Sequence, residues 1–360
     1  MGVFRLVLSL MVVASHVGGM GDSPAGGSAV AAFFTISGFL MARTVSENYA
    51  GRGFTRFYVN RALRIMPPFL AVLAATALVV WVRDGVGFLA NPVSQGRYMP
   101  VELPERLAGL IEWNERPFPI FSTPQVYLLP QAWSLVIEWA FYAVTPLAVV
   151  AVATRARPLV WGVAAASLIL AWLARANPEW IRSVADTTWM FLGGMLAYHY
   201  APRNVRPSAG IDLLGAVAAG AVVWLGLGWA GLSTATVHLL VPALVVAWLL
   251  LGQWSTRRSD GFDRWCGNLA YGVFLGHFLG SMLMYWIAEG VFAATGRFGI
   301  FGIPDQSDRL LWTSSYVFAI LMGLAVYYGV ERPLERLRRR VRRTSKQSSG
   351  PAHAVPQAAP

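Results

Sequence analysis

The sequence predicts an all-α, polytopic membrane protein of about ten transmembrane helices with both termini in the cytoplasm. Three observations predict it. Of the 360 residues, 56% are hydrophobic and only 13% charged, with a mean hydropathy of +0.51, which leaves too little polar surface for a soluble globule. Windows of about twenty apolar residues, the length that crosses a ~30 Å hydrocarbon core, recur along the chain. Arginines gather in alternate intervals between those windows. The net charge of +11 and pI near 10.3 arise in those intervals rather than on a polar domain, so they report orientation, and no nucleic-acid partner is expected. The lone Cys266 excludes an internal disulfide framework.

The windows fall at 4–20, 29–45, 65–83, 131–153, 159–175, 184–200, 209–231, 233–251, 268–289 and 310–330. The first resembles a signal peptide, with Ala29-Val30-Ala31 as a cleavage-like site, but a His inside the apolar run and the distance to that site argue for retention. Leu6 at the position of the usual Ser or Thr speaks against a myristoylation signal at Met1-Gly2. With the N-terminus inside and sides alternating, the inner intervals carry Arg52, Arg56, Arg61, Arg155, Arg157, Arg203, Arg206, Arg257, Arg258, Arg264 and the cluster from Arg332 to Lys346. The outer intervals hold fewer, outnumbered by acids such as Glu102, Glu105, Glu112 and Glu115. Residues 1–333 are read as one transmembrane domain in the cell's inner (plasma) membrane. Residues 334–360, basic and then Pro/Ala-rich, are read as a cytoplasmic tail, largely disordered.

Ionisable residues inside the windows are the informative ones, because exposing them to lipid costs several kcal/mol. Arg5 and His16 are eleven residues apart, three helical turns plus about 20°, and so share one face with ~16 Å between them. Arg5 reads either as a snorkelling topology anchor or as part of a site; His16 reads either as a packing residue or as a base whose ordinary pKa near 6.5 suits taking a proton from a hydroxyl. Spacing alone leaves both pairs of readings open. Arg61 and Arg64 face the same way just before Pro67-Pro68, which suit a helix start, and two such guanidiniums form a receptor for phosphate. Glu138 lies one to two turns into the fourth window, where it would orient His16, bind an acceptor hydroxyl or form a structural ion pair.

Arg5-(ten residues)-His16, Phe33-Phe34-x-x-Ser37-Gly38-Phe39-Leu40, Arg61-x-x-Arg64-Ile65-x-Pro67, Trp133-Ser134-Leu135-x-x-Glu138-x-x-Phe141-Tyr142, Asn268-Leu269-Ala270-Tyr271-(five residues)-His277-Phe278 and Glu331-Arg332-Pro333 follow one another in order. Together they resemble the signature of the acyltransferase 3 family of integral membrane O-acyltransferases. The resemblance implies a ten-span domain that moves an acyl group, commonly acetyl, from cytoplasmic acyl-CoA to a hydroxyl of a carbohydrate or other glycosylated acceptor. It carries functional roles onto Arg5, His16, Arg61 and Arg64. The sequence departs from many members at Ala31 and Ala32, where a polar or acidic residue is usual, and at Trp139 after Glu138.

The expected site therefore has His16 and Glu138 as catalytic groups, Arg5, Arg61 and Arg64 on the acyl-CoA phosphates, and Ser37, Tyr142 and His277 in support. Ser37 lacks the flanking glycines of a nucleophile elbow and reads as a packing residue. No cofactor beyond the acyl-CoA substrate is expected, and the scattered histidines, His199 and His238 included, lack metal-site spacing. The aromatics Trp113, Phe118, Phe121 and Tyr127 of the long interval at 84–130, with Trp133 just after it, read as an interfacial belt or as an acceptor wall. Two other classes fit parts of the pattern: a transporter with His16 and Glu138 as a proton relay, and an inactive scaffold that would tolerate loss of His16.

Overall fold

A computed structural model describes residues 1–17, 25–49, 54–84, 129, 131–173, 184–201, 234–251, 261–295 and 309–347. Every regular element among these residues is helical. In chain order they are α1 (Gly2–Val17), α2 (Ala25–Asn48), α3 (Thr55–Asp84), α4 (Ala132–Ala153), α5 (Arg157–Leu173), α6 (Val184–Tyr200), α7 (Thr234–Leu251), α8 (Gly261–Thr295) and α9 (Arg309–Val326). A π-helical turn (Tyr327–Glu331) then leads into α10 (Arg332–Gln347). Within them Gly26–Asn48, Thr55–Val79, Ser134–Ala153 and Thr313–Val341 are long and apolar enough to cross a membrane, and Gly2–His16, Arg157–Leu173 and Thr236–Leu251 are shorter apolar helices. The expected window at 209–231 and the interval at 85–128 lie outside the described residues.

The helices are apolar outside as well as inside. On α5, Val160, Ala164, Ser167 and Ala171 are buried, whereas Leu159, Trp161, Ile169 and Leu173 point outward. A soluble helix would reverse that pattern, and a helix against lipid does not need to. Packing inside the bundle relies on small residues. A Cβ at Gly38 of α2 would strike the Phe191 carbonyl of α6, and one at Gly194 of α6 would strike the Thr35 carbonyl of α2. Gly272, Gly276 and Gly280 line the α8 face against α9 in the same way, with the Gly323 carbonyl 2.8 Å from a Cβ built at Gly272.

One pairing sets the site. Gly2 of α1 packs on Gly267 of α8. Further along, the Ser9 hydroxyl donates to the Ala270 carbonyl at 2.7 Å, and His16 meets His277 at 3.2 Å, both pairs separated by 261 residues. A constant offset means that α1 and α8 run parallel and in register.

Two expectations need correction. The third helix begins at Thr55, not at its prolines: Pro67 and Pro68 lie inside α3. They withhold the N–H donors that would reach the Leu63 and Arg64 carbonyls, which a membrane helix tolerates, and one residue further on the Tyr271 hydroxyl donates to the Ile65 carbonyl at 3.1 Å. The basic part of the C-terminal tail, expected to be largely disordered, is helical through Gln347. Its Arg338 is buried, paired with Glu335 at 2.8 Å and donating to Asn60 of α3 at 3.3 Å. Residues 348–360 lie outside the described residues.

The glycine contacts are testable. Gly38→Val and Gly194→Val place side chains against backbone that has little room to move, an overpacking cost of about 1–3 kcal/mol or more. Both should lower the melting temperature of the detergent-purified protein, read by size-exclusion fluorescence. Gly162→Ala, where a Cβ meets nothing within 4 Å, should leave it unchanged.

Candidate functional site

The α1–α8 seam carries a polar cluster at each end. At the end where α1 begins, Arg5 projects into a cavity of about 50 Å³ that Phe33 and Ser37 of α2, Glu138 of α4, and Tyr271 and Phe274 of α8 also line. Room for roughly three or four waters is all that volume offers. Glu138 is held by hydroxyls: its Oε1 accepts from Ser37 at 3.2 Å and from Tyr142, one turn along the same helix.

Arg61 and Arg64, a turn apart on α3, complete this cluster. The Arg61 guanidinium lies 5.6 Å from the Phe57 ring centre and 5.9 Å from that of Tyr142, two rings set edge to face at 6.5 Å, and so has a cation–π contact with each. Its side chain is buried, and its Nε has no hydrogen-bond partner among the described residues. Arg64 lies in electrostatic contact with Arg5 and with Arg61. Like charges gathered in a low-dielectric setting repel, and Glu138 and Glu331 offset part of that repulsion. Glu331 is buried in the π-helical turn, its charge facing Arg64, Arg338 and Arg5. Three guanidiniums thus stand against two carboxylates, with an unused donor on Arg61, a charge balance and donor supply that suit an anion.

The other cluster is a histidine pair. His16 occupies the exposed last turn of α1, and His277 of α8 is fully buried. His16 Nδ1 lies 3.2 Å from His277 Nε2 with the ring planes 19° apart. His277 Nδ1 is in turn 2.6 Å from the Phe274 carbonyl, and the Phe278 ring lies against both imidazoles.

The expected residues thus divide. Arg5, Arg61, Arg64, Glu138, Ser37 and Tyr142 gather at one end, and His16 with His277 at the other. The structure places Glu138 at the level of Arg5, where it bonds Ser37 and Tyr142, while His16 pairs with the ring of His277. Sequence reasoning gave no role to Tyr271 or Phe274, which wall the cavity, or to Glu331, although Tyr271 and Glu331 stand within the family-like motifs. His199 lies against Tyr200 at the end of α6, and His238 sits over Gly27. Among the described residues no three His, Cys, Asp or Glu side chains are grouped to hold a metal ion. The side chains of the five aromatics singled out around the 84–130 interval lie outside what is described.

No curated protein and no solved structure matches the chain. A family model described as an acyltransferase domain matches residues 1–331, which takes in both clusters and every helix from α1 to α9. The chain therefore belongs to the acyltransferase 3 family of integral membrane acyltransferases.

Proposed function

We propose that the protein transfers an acyl group, acetyl by preference, from cytoplasmic acyl-CoA to a hydroxyl of a carbohydrate or glycosylated acceptor. The observation that carries this reading is the seam itself: an anion receptor and an exposed imidazole lie on one face of α1, eleven residues and ~16 Å apart, with a cavity opening beside the receptor. Arg61, Arg64 and Arg5 hold the CoA phosphates. The pantetheine arm runs along the seam past Phe33 and Phe274, whose rings stand 6.2 Å apart and must part to admit it. At His16 the acceptor hydroxyl gives its proton to the imidazole while its oxygen attacks the thioester carbonyl. The C–O bond forms, the C–S bond breaks, and the departing thiolate takes the proton back. Glu138, fixed by Ser37 and Tyr142, sets the charge around Arg5 and borders the path of the arm.

The transporter alternative needs Glu138 and His16 in one relay, and the two belong to clusters at opposite ends of the stripe. Parallel α1 and α8 need an odd number of spans between them, and the six helices α2 to α7 leave room for 209–231 as the seventh, which supports the ten-span reading. With Arg5, Arg61, Arg64 and the basic α10 at one end of the bundle, the positive-inside rule puts that end and both termini in the cytoplasm. The plasma membrane is the site that gives access both to cytoplasmic acyl-CoA and to surface glycans.

Orientation, donor binding and proton transfer can each be measured separately. In a Cys266→Ser background, Ser94→Cys should react with an impermeant maleimide on intact cells and Ser208→Cys should not; the reverse pattern inverts the orientation. Arg61→Ala and Arg64→Ala should each raise the apparent KM for acetyl-CoA roughly 10-fold or more, since a hydrogen bond to a charged group contributes on the order of 1.5–3 kcal/mol. Lys at either position restores charge without the fork and should rescue only in part; unchanged donor kinetics in both Ala variants would leave these arginines a topology role alone. His16→Ala and His16→Gln should both lose about 10²–10⁴ in acyl transfer while retaining acetyl-CoA binding, because an amide replaces a hydrogen bond but not a base. Near-normal transfer by the Gln variant would make Glu138 the next base to test.

A further inference from the structure

We infer that His277 is a positioning residue that fixes the tautomer of His16, leaving the lone pair on His16 Nε2. The inference rests on the reading of His16 as the proton acceptor and names what prepares it. A carbonyl oxygen only accepts, so at 2.6 Å from the Phe274 carbonyl the His277 Nδ1 must carry a hydrogen. His277 is fully enclosed, with the Phe278 ring 4.4 Å from its own, and a charge buried there would cost several kcal/mol. The ring is neutral and has a single N–H. Its Nε2 is then an acceptor, and the nitrogen that faces it at 3.2 Å, His16 Nδ1, must be the donor. The ring centroids are 5.2 Å apart, so the two nitrogens approach each other more closely than the ring faces do. A neutral His16 with its hydrogen on Nδ1 holds its lone pair on Nε2.

The logic is that of an acid–histidine pair, in which the partner on one ring nitrogen decides what the other can do. Here the partner is a second imidazole whose own tautomer is set by backbone. The chain of bonds runs from the Phe274 carbonyl through His277 to His16, along consecutive turns of α8 and across the seam to α1. Phe274 serves twice, since its carbonyl anchors the pair while its ring walls the cavity.

The test reads the tautomer directly. Protein labelled with ¹⁵N-histidine, in nanodiscs, has five histidines, and the His16 signals are those lost in His16→Gln. The wild type should show His16 protonated at Nδ1 and unprotonated at Nε2. In acetyl transfer from acetyl-CoA, His277→Phe should lose about 10²-fold or more in kcat with the KM for acetyl-CoA unchanged. His277→Gln, whose amide oxygen can take the place of Nε2 as acceptor, should stay within about 10-fold of wild type and keep the Nδ1–H form of His16. A hydrogen on His16 Nε2 in the wild type, or equal kcat for the Phe and Gln variants, overturns the inference. If His277→Phe fails to fold, the wild-type spectrum and the Gln variant decide it. The spectrum needs no turnover, so a protein that transfers no acyl group under any condition would sink the functional reading and still reveal which nitrogen of His16 holds the hydrogen.

Discussion

Because α1 and α8 run side by side in one direction at a fixed offset, Ser9 and His16 on the inner stripe of α1 each meet a set partner on α8. Small residues make the approach possible. Gly2 lies against Gly267, and the next step along the seam is a hydroxyl-to-carbonyl bond from Ser9 to Ala270 rather than a contact between bulky side chains. With the backbones that close, the spacing of Arg5 and His16 on α1 becomes the spacing of the arginine cluster and the imidazole pair.

The charges are distributed accordingly. Arg61 lies against the rings of Phe57 and Tyr142, and Tyr142 also bonds the carboxylate of Glu138, so the position of each charge depends on the other. The α10 helix braces this end from outside: Arg338 donates to Asn60, Asn60 donates to the Tyr49 hydroxyl at 2.7 Å, and α10, α3 and α2 are linked through one amide. A bilayer raises the energy of each unpaired charge, which is why these groups share partners. The histidine end is sparser, two imidazoles with the Phe278 ring against both.

How much of this was legible depends on the range of the interaction. The phase of Arg5 against His16 follows from helical periodicity, and the cavity beside Arg5 and the ring pairing of His16 both lie toward α8. The pairing of Tyr142 with Glu138 was equally available, since they stand four apart on one helix, but the competing pairing of Glu138 with His16 hid it. The partner His16 does have could not be read, because the offset of 261 residues is a tertiary property and periodicity within either helix is silent about it. Pro67-Pro68 mislead because proline's preference for helix starts belongs to helices in water, whereas here neighbouring side chains can bond a loosened backbone. In the C-terminal stretch, Leu334, Leu337 and Val341 recur at helical spacing among the arginines, a signal masked by the density of charge.

The pairing of the first helix with α8 also bears on how the protein is made. At a synthesis rate of ~5–20 residues per second, roughly 13–50 s separate the emergence of His16 from that of His277, 261 residues later. For that interval Ser9 and His16 sit in or beside the bilayer without the helix that partners them. α1 must therefore wait near the insertion machinery or against interim neighbours such as α2, and the site closes only when nearly the whole chain has been delivered. A truncated product would retain most of the arginine cluster and lose the seam.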